Sequence, residues 1–338
     1  MATLATQHLT MLDMMKQTVG DSIETDIAEI MSETSDLLSD LHVSECNMGT
    51  FNKSVVRHGL PKSTFRKLYG YVPTSKSTVE QVVDTTGDLE SYSTPDIDLI
   101  DRSKNPAQAR LNEGKAFIEG MAQDAQEAII YGSRVDNDAE FDGLAVRYAQ
   151  LSNEKKNIGY NVIDADGTGS DNTSIWFITT GENDVKLLYP EGSKAGIQHY
   201  NDGIQTETNS KGEKRKVYQD HYKLSLGVAV KDWRSTCRIA NISVSKLEAG
   251  EVDLLKLLRK GYYRVKKHIK KSGQKTFIYC TTSIAEALDE AATNKPNVNL
   301  NIKEYCGADI AHYKGIPIRE IDQILETEER VVAAASAS

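Results

Sequence analysis

The chain has 338 residues, of which 39% are hydrophobic and 26% charged, and a formal net charge of −9. That length holds two domains or one compact domain with long extensions, and a mean hydropathy of −0.46 suits a soluble protein with more exposed chain than usual. No run approaches 18 uninterrupted apolar residues, and Met1 to Thr10 lacks the basic start and apolar middle of a signal peptide, so no membrane contact and no secretion are expected. Cys46, Cys237, Cys280 and Cys306 stand far apart without a CxxC pair, which disfavours zinc and a disulfide framework and leaves buried free thiols as the expectation.

Charge is uneven along the chain. Residues 1 to 50 hold nine acids and one base, Lys16, whereas residues 51 to 80 hold Lys53, Arg57, Lys62, Arg66, Lys67 and Lys76 against the single acid Glu80. Such blocks are either solvated faces of a monomer or complementary surfaces that dock on neighbouring copies. In the acidic stretch, Met11, Met14, Met15, Ile23, Ile27, Ile30, Met31, Leu37, Leu38 and Leu41 fall at helix-like spacing, so residues 8 to 42 are expected to be helical. From 49 to 104, Gly49, Gly59, Pro61, Gly70, Pro73, Gly87 and Pro95 punctuate short β-leaning runs such as Val79 to Val83, which predicts a long hairpin or extended loop.

A helix is expected next. Asn105 offers a capping oxygen and Pro106 fits the first helical position. From Ala107 to Tyr131, Leu111, Ile118, Met121, Ala125, Ala128 and Ile129 recur at three- and four-residue steps as one apolar stripe. About 26 residues at 1.5 Å each make a rod of about 39 Å. Gly114 and Gly120 inside it suggest close backbone packing or a bend.

Ser174 to Thr180 and Val185 to Tyr189 read as strands around a Gly181-Glu182-Asn183-Asp184 turn, a hairpin with one wet face. Tyr222, Leu224, Leu226, Val228 and Val230 alternate at period two within a strand from His221 to Val230. A second strand reading continues from Asp232 toward Val244. After a composition change at Lys246 to Asp253, Leu254, Leu257, Leu258, Tyr262, Val265 and Ile269 define an amphipathic helix with a basic last turn. A buried strand at Thr276 to Cys280 follows, then a helix from Ser283 with a Ser283/Glu286 capping box. Gly315-Ile316-Pro317-Ile318 with Ile321 reads as a returning strand, and Ala333 to Ser338 as a frayed tail.

Chemistry finds little support. Asp164, Asp166 and Asp171 with Gly167 and Gly169 resemble a calcium loop, but no glutamate stands at the twelfth position. The seven histidines show no HExxH and no pair at ligand spacing. No GxGxxG after a strand, no GxxxxGK[ST] and no GxSxG occurs. No catalytic residue, metal or cofactor is assigned. Lys256, Arg259, Lys260, Arg264, Lys266, Lys267, Lys270, Lys271 and Lys275, with Tyr262 and Tyr263 among them, form the best nucleic-acid candidate. Fifteen tyrosines against six phenylalanines favour interfaces between proteins instead.

The acidic arm, basic extended loop, long helix, and then Tyr131-Gly132 through Phe141-Asp142-Gly143-Leu144 resemble the N-arm, E-loop, spine helix and following loop of tailed-phage major capsid proteins with the Hong Kong 97 fold. Gly181-Glu182-Asn183, Tyr189 to Gly196, Asp232-Trp233-Arg234 and Arg238 to Ile242 are similar to motifs of the epsilon-fifteen-like capsid family of short-tailed phages. The resemblance implies an α+β chain with an N-terminal arm at 1–48, an E-loop at 49–104, the spine helix and P-domain strands at 105–245, an A-domain with a returning strand at 246–325, and a tail at 326–338. It further implies copies closing as hexamers and pentamers into an icosahedral shell around a double-stranded DNA genome. Partners would be other copies, a separate scaffold, a portal, a decoration protein and packaged DNA held without specificity. The place would be the virion, with assembly in the host bacterial cytoplasm. Lys53, Arg57, Lys62, Arg66 and Lys67 would then meet acids on a neighbouring subunit. The competing readings are a nucleic-acid-binding protein using 256–275, and a metal-dependent enzyme centred on Asp164, Asp166 and Asp171.

Overall fold

The computed structural model describes residues 18–19, 22–23, 37–103, 105–269, 274–294, 300–305 and 308–333. Strands β1 (Thr18–Val19) and β2 (Ser22–Ile23) pair antiparallel, which corrects the helix expected over 8–42 at those positions. Val19 stands opposite Ser22, so strand pairing prevails there over the helical spacing of the sequence. The rest of that predicted helix up to residue 36 lies outside the described residues, and only α1 (Leu37–Asp40) is helical. Then come β3 (Val43–Glu45), β4 (Phe51–Gly59), β5 (Thr78–Ser93) and α2 (Ile97–Asp101).

Helix α3 runs from Pro106 to Tyr131, and the Asn105 side chain caps the Gln108 N–H at 3.3 Å. It stops where Gly132 and Gly143 close on each other, with Gly143 N–H on the Gly132 carbonyl at 2.8 Å. A Cβ on Gly132 would lie 2.5 Å from the Ala128 carbonyl oxygen and 2.8 Å from that of Phe141. The expected stripe is only half right. Met121, Ala125 and Ile129 are buried, but Leu111 is 56% and Ile118 43% exposed. At 100° per residue Leu111 and Ile129 point the same way, so it is the cover over that side that changes along the helix.

The chain continues with α4 (Leu144–Arg147), β6 (Gln150–Leu151), β7 (Val162–Asp164), β8 (Asn172–Thr180), β9 (Val185–Tyr189), β10 (Gln198–Thr208), β11 (Lys214–Val230) and β12 (Thr236–Ser243). Helices α5 (Val244–Glu248) and α6 (Leu254–Ile269), strand β13 (Lys275–Cys280), helix α7 (Thr282–Asn294) and strands β14 (Leu300–Tyr305), β15 (Ala308–Tyr313), β16 (Ile316–Glu320) and β17 (Val332–Ala333) complete it. The strand expected from 221 begins at Lys214, and its partner β10 was not anticipated, because Gln198 to Thr208 is almost wholly polar. The strand expected from Asp232 starts only at Thr236, after a 3₁₀ turn at Trp233–Ser235. Two compact units are interleaved along the chain.

The first unit takes in residues 88–126 and 194–226. Here β10 and β11 form an antiparallel hairpin, bulged between Asn201 and Gly203. The helix covers one face of it: Tyr222 stacks on Phe117, and Arg110 grips both carboxylate oxygens of Asp220 at 2.8 Å. Gly114 is explained by this packing, since an added Cβ would meet the Tyr222 hydroxyl at 2.6 Å. Lys223 ties the strand to Asp88 and Glu90 at 3.2 and 2.8 Å.

The second unit takes in 34–87, 127–193 and 227–338. Its centre is β8, flanked antiparallel by β12 and β13, with β16 beyond β13. The antiparallel hairpin expected between β8 and β9 does not form: the two meet in parallel at the single pair Thr180 and Val185, and β9 ladders mainly with β3 and with the Gly227–Val230 end of β11. All nine residues of β8 are buried, which corrects its predicted wet face. Three of its four hydroxyls find partners inside, Thr276 for Thr179, Glu328 for Ser174 and the Val185 carbonyl for Thr180, and this makes their burial tolerable. Ile175, Phe177, Ile239 and Ile278 meet Leu254, Leu257, Leu258 and Val265 of α6 and Ile284 and Leu288 of α7 in one core. The helix approaches so closely that a Cβ on Gly261 would stand 2.6 Å from the Phe177 ring. Helix α7 starts one residue before the expected cap, and Ser283 gives its hydroxyl to Glu326 instead of a capping box.

Candidate assembly surface

Strands β4 and β5 form an antiparallel ribbon from Phe51 opposite Thr85 to Gly59 opposite Thr78. The alternation of β residues decides what each face does. One face carries Asn52, Ser54 and Asp84, all buried. The Asp84 carboxylate receives Arg147 at 2.7 Å, and Arg147 also donates to the carbonyls of Asp142 and Val228. Burial still pushes the Asp84 carboxyl above its usual range, against the pull of Arg147. The opposite face carries Lys53, Val55 and Arg57 beside Val79 and Val83, the three valines more than half exposed.

Beyond the ribbon, residues 60–77 hold no helix or strand, and Lys62, Arg66 and Lys67 are exposed. Among them Phe65, Tyr69 and Tyr71 are fully exposed and Leu60 and Leu68 nearly so. Of the five predicted contact residues, Lys53 and Arg57 share one strand face and Lys62, Arg66 and Lys67 share the loop. None of the five makes an ion pair among the described residues. An exposed run of large apolar and cationic side chains without cover is what a monomeric protein avoids and what a surface awaiting a partner shows. The sequence signalled the charge but not the aromatic exposure.

The rival sites are partly engaged within the chain. In the basic helix α6, the Arg264 guanidinium stacks 3.3 Å over Tyr160, Lys266 lies over Tyr263, and Lys314 lies over both Tyr262 and Tyr263. That leaves Lys256, Arg259, Lys260 and Lys267 as its exposed cations; Lys270 and Lys271 lie outside the described residues, as does Cys306. In the acidic loop, Asp164 accepts from the Asp166 N–H and from Asn241 at 2.9 and 2.8 Å. Asp171 accepts from Ser243 and from both the hydroxyl and N–H of Ser245, and these donors, Ser245 first, hold its carboxyl well below the usual carboxylate range. These acids organise turns. Cys46, Cys237 and Cys280 are buried free thiols, and burial pushes Cys46 up to about 11 and Cys237 up to about 12.

Two clusters escaped sequence reading because their members are far apart in the chain. Asp184, Asp232 and His268 come together, but Nδ1 of His268 faces Asp184 at 3.1 Å and Nε2 faces Asp232 at 3.8 Å. The imidazole bridges the acids instead of sharing a metal with them, and Arg234 already pairs with both Asp232 oxygens at 2.8 and 2.9 Å. In the second cluster Glu328 accepts from Tyr131 at 2.6 Å, Ser174 at 2.7 Å and Arg238 at 3.0 Å, and Arg238 lies over the Trp176 ring. This network buries the carboxyl-terminal strap, which Asn241 also clasps through two hydrogen bonds to the backbone of Val331.

A buried mixed sheet, a long helix and a basic ribbon uncovered among the described residues, with the acids of the rival metal loop bonded within the chain, mark a structural subunit suited to self-association. Comparison with known proteins identifies which. The family model for Major capsid protein GP7 matches residues 20–332, and the chain belongs to that family: it is a shell-forming capsid protein and part of the virion of a bacteriophage. A chain in the near-atomic-resolution structure of bacteriophage Epsilon15 is 31% identical, with 99% of this chain and 100% of that chain covered and a TM-score of 0.77. The bacteriophage JBD30 capsid, at 10% identity and a TM-score of 0.51 over 91% of this chain and 97% of that one, shares the fold. The fold is therefore the Hong Kong 97-type capsid fold. None of the curated proteins matches the chain.

Proposed function

We propose that copies of this chain close as hexamers and pentamers into an icosahedral shell around packaged double-stranded DNA, and that Lys53, Arg57, Lys62, Arg66 and Lys67 meet acids of a neighbouring copy. The observation that carries this is the 51–85 ribbon and its loop, where exposed valines and aromatics stand among cations that make no ion pair among the described residues. Many such weak contacts, multiplied by closed symmetry, hold a shell without any one being strong. In this reading residues 1–48 act as the arm, 49–104 as the E-loop, 105–245 as spine helix and P-domain, 246–325 as A-domain and 326–338 as tail. The chain works as a building block and not as an enzyme. Assembly takes place in the host bacterial cytoplasm, with a separate scaffold, a portal and a decoration protein as partners and DNA held without specificity.

Electron microscopy of the protein expressed alone or with a scaffold tests this directly. Closed particles are expected, and the triple reversal Lys62→Glu, Arg66→Glu and Lys67→Glu should remove them while circular dichroism stays unchanged. A strictly monomeric wild-type product at high concentration, even with a scaffold, would refute the reading.

A further inference from the structure

The turn between β15 and β16 departs from the residue choice its backbone favours. Tyr313 lies opposite Ile316, so Lys314 and Gly315 form the connection, and both have left-handed backbones, with φ of 51° and 83°. A two-residue hairpin turn of this kind favours Asn-Gly or Gly-Gly. Glycine takes such a backbone freely, whereas a lysine does so at a steric cost. Local chemistry therefore selects against Lys314, and its side chain has to offset that cost elsewhere.

Three tyrosine rings supply the offset. The Lys314 Nζ lies 4.8 Å from the ring centroid of Tyr262, 5.2 Å from that of Tyr263 and 5.6 Å from that of Tyr313, all inside the reach of about 6 Å over which a ring face attracts a cation. The rings stand as walls of a box: Tyr262 meets Tyr263 at 89° and Tyr313 at 80°. Lys314 makes no ion pair among the described residues, so the rings and not a carboxylate hold its charge. Tyr313 is buried, Tyr262 half-buried and Tyr263 exposed, so the box runs from the core to the surface. Several aromatic faces around one cation are the arrangement that recognises alkylated ammonium groups. We propose that Tyr262, Tyr263 and Tyr313 form a binding site for an alkylammonium cation, filled by the chain's own Lys314, whose ammonium latches the β15–β16 turn to α6. With that side chain removed, the site takes a small quaternary ammonium from solution. Every group involved belongs to one chain, so the site stands apart from the shell reading.

Two variants of the full chain test the latch and the site separately. Lys314→Met keeps the stem and the backbone demand of the turn but removes the ammonium, so its melting temperature should fall by about 2 °C or more. Lys266 lies 4.8 Å from the Tyr263 ring alone, and Lys266→Met, which strips one wall of its cation, should fall less. An unchanged Lys314→Met, or an equal fall in both variants, overturns the latch. Lys314→Gly gives the turn the Gly-Gly pair it accepts and leaves the three rings without a cation. Calorimetric titration with tetramethylammonium chloride, against sodium chloride at the same concentration, should show saturable binding to Lys314→Gly at least about tenfold tighter than to the wild type. The double variant Lys314→Gly, Tyr263→Leu should lose that binding, since it lacks the exposed wall. Equal binding to wild type and Lys314→Gly, no binding to either, or binding that survives Tyr263→Leu overturns the site.

Discussion

Replacing Glu328 by glutamine removes one charge from the centre of the second unit and nearly nothing from its shape. In the wild type the carboxylate is 3% exposed and its Arg238 partner 5%, so solvent does not screen the pair. The variant leaves the guanidinium buried beside Trp176 with the Tyr148 carbonyl at 3.1 Å as its remaining acceptor among the described residues, and asks Tyr131 and Ser174 to share one amide oxygen. Breaking a buried pair from one side costs about 3–5 kcal/mol, which is roughly two to three and a half orders of magnitude in the folding equilibrium. Chemical denaturation of the dilute subunit followed by tryptophan fluorescence reads this well, since Trp176 sits under the affected guanidinium. The double variant Glu328→Gln, Arg238→Met removes the orphaned charge and should recover at least half of the loss. A single-variant loss below about 1 kcal/mol, or a double variant less stable than the single, would show that the strap is held by packing and not by this network.

Acid should expose Asp171 next. Its folded pKa is depressed by Ser245 and Ser243, so its contribution is complete above the unfolded value of about 3.9 and is lost as pH falls below it toward the folded value. The melting-temperature gap between wild type and Asp171→Asn should therefore be flat from pH 7 to 5 and shrink from pH 4 to 2; a gap that does not narrow at all over that range contradicts the assigned bonds. Two glycines in helices should respond with opposite signs. Gly120→Ala gains about 1 kcal/mol from helix propensity in open space, whereas Gly261→Ala forces a methyl into the Phe177 ring, an overpacking cost of about 1–3 kcal/mol that outweighs the same gain. Thermal melts of the two variants that move in the same direction would refute the packing described at Gly261.

Local grammar was readable in the sequence wherever neighbours in the chain settle the outcome. Asn105 and Pro106 start the long helix, Gly132 ends it, and strict alternation marks the core end of β11. The charge reversal after residue 50 pointed to the ribbon that is exposed in the structure. These signals are local because capping, turn geometry and side-chain period depend on a few adjacent residues. Tertiary structure decided everything that needs a distant partner. It made β8 wholly buried despite its threonines and serines, by supplying Thr276 and Glu328 from about 97 and 154 residues away. It reduced the expected β8–β9 hairpin to one parallel pair, exposed Leu111 and Ile118 on a side of the helix that Ile129 buries, and spent the acids of the supposed calcium loop on Ser243, Ser245 and Asn241. No period or spacing encodes those outcomes, because burial and hydrogen-bond satisfaction belong to whichever surface the rest of the chain brings up, and for a shell protein part of that surface belongs to another copy.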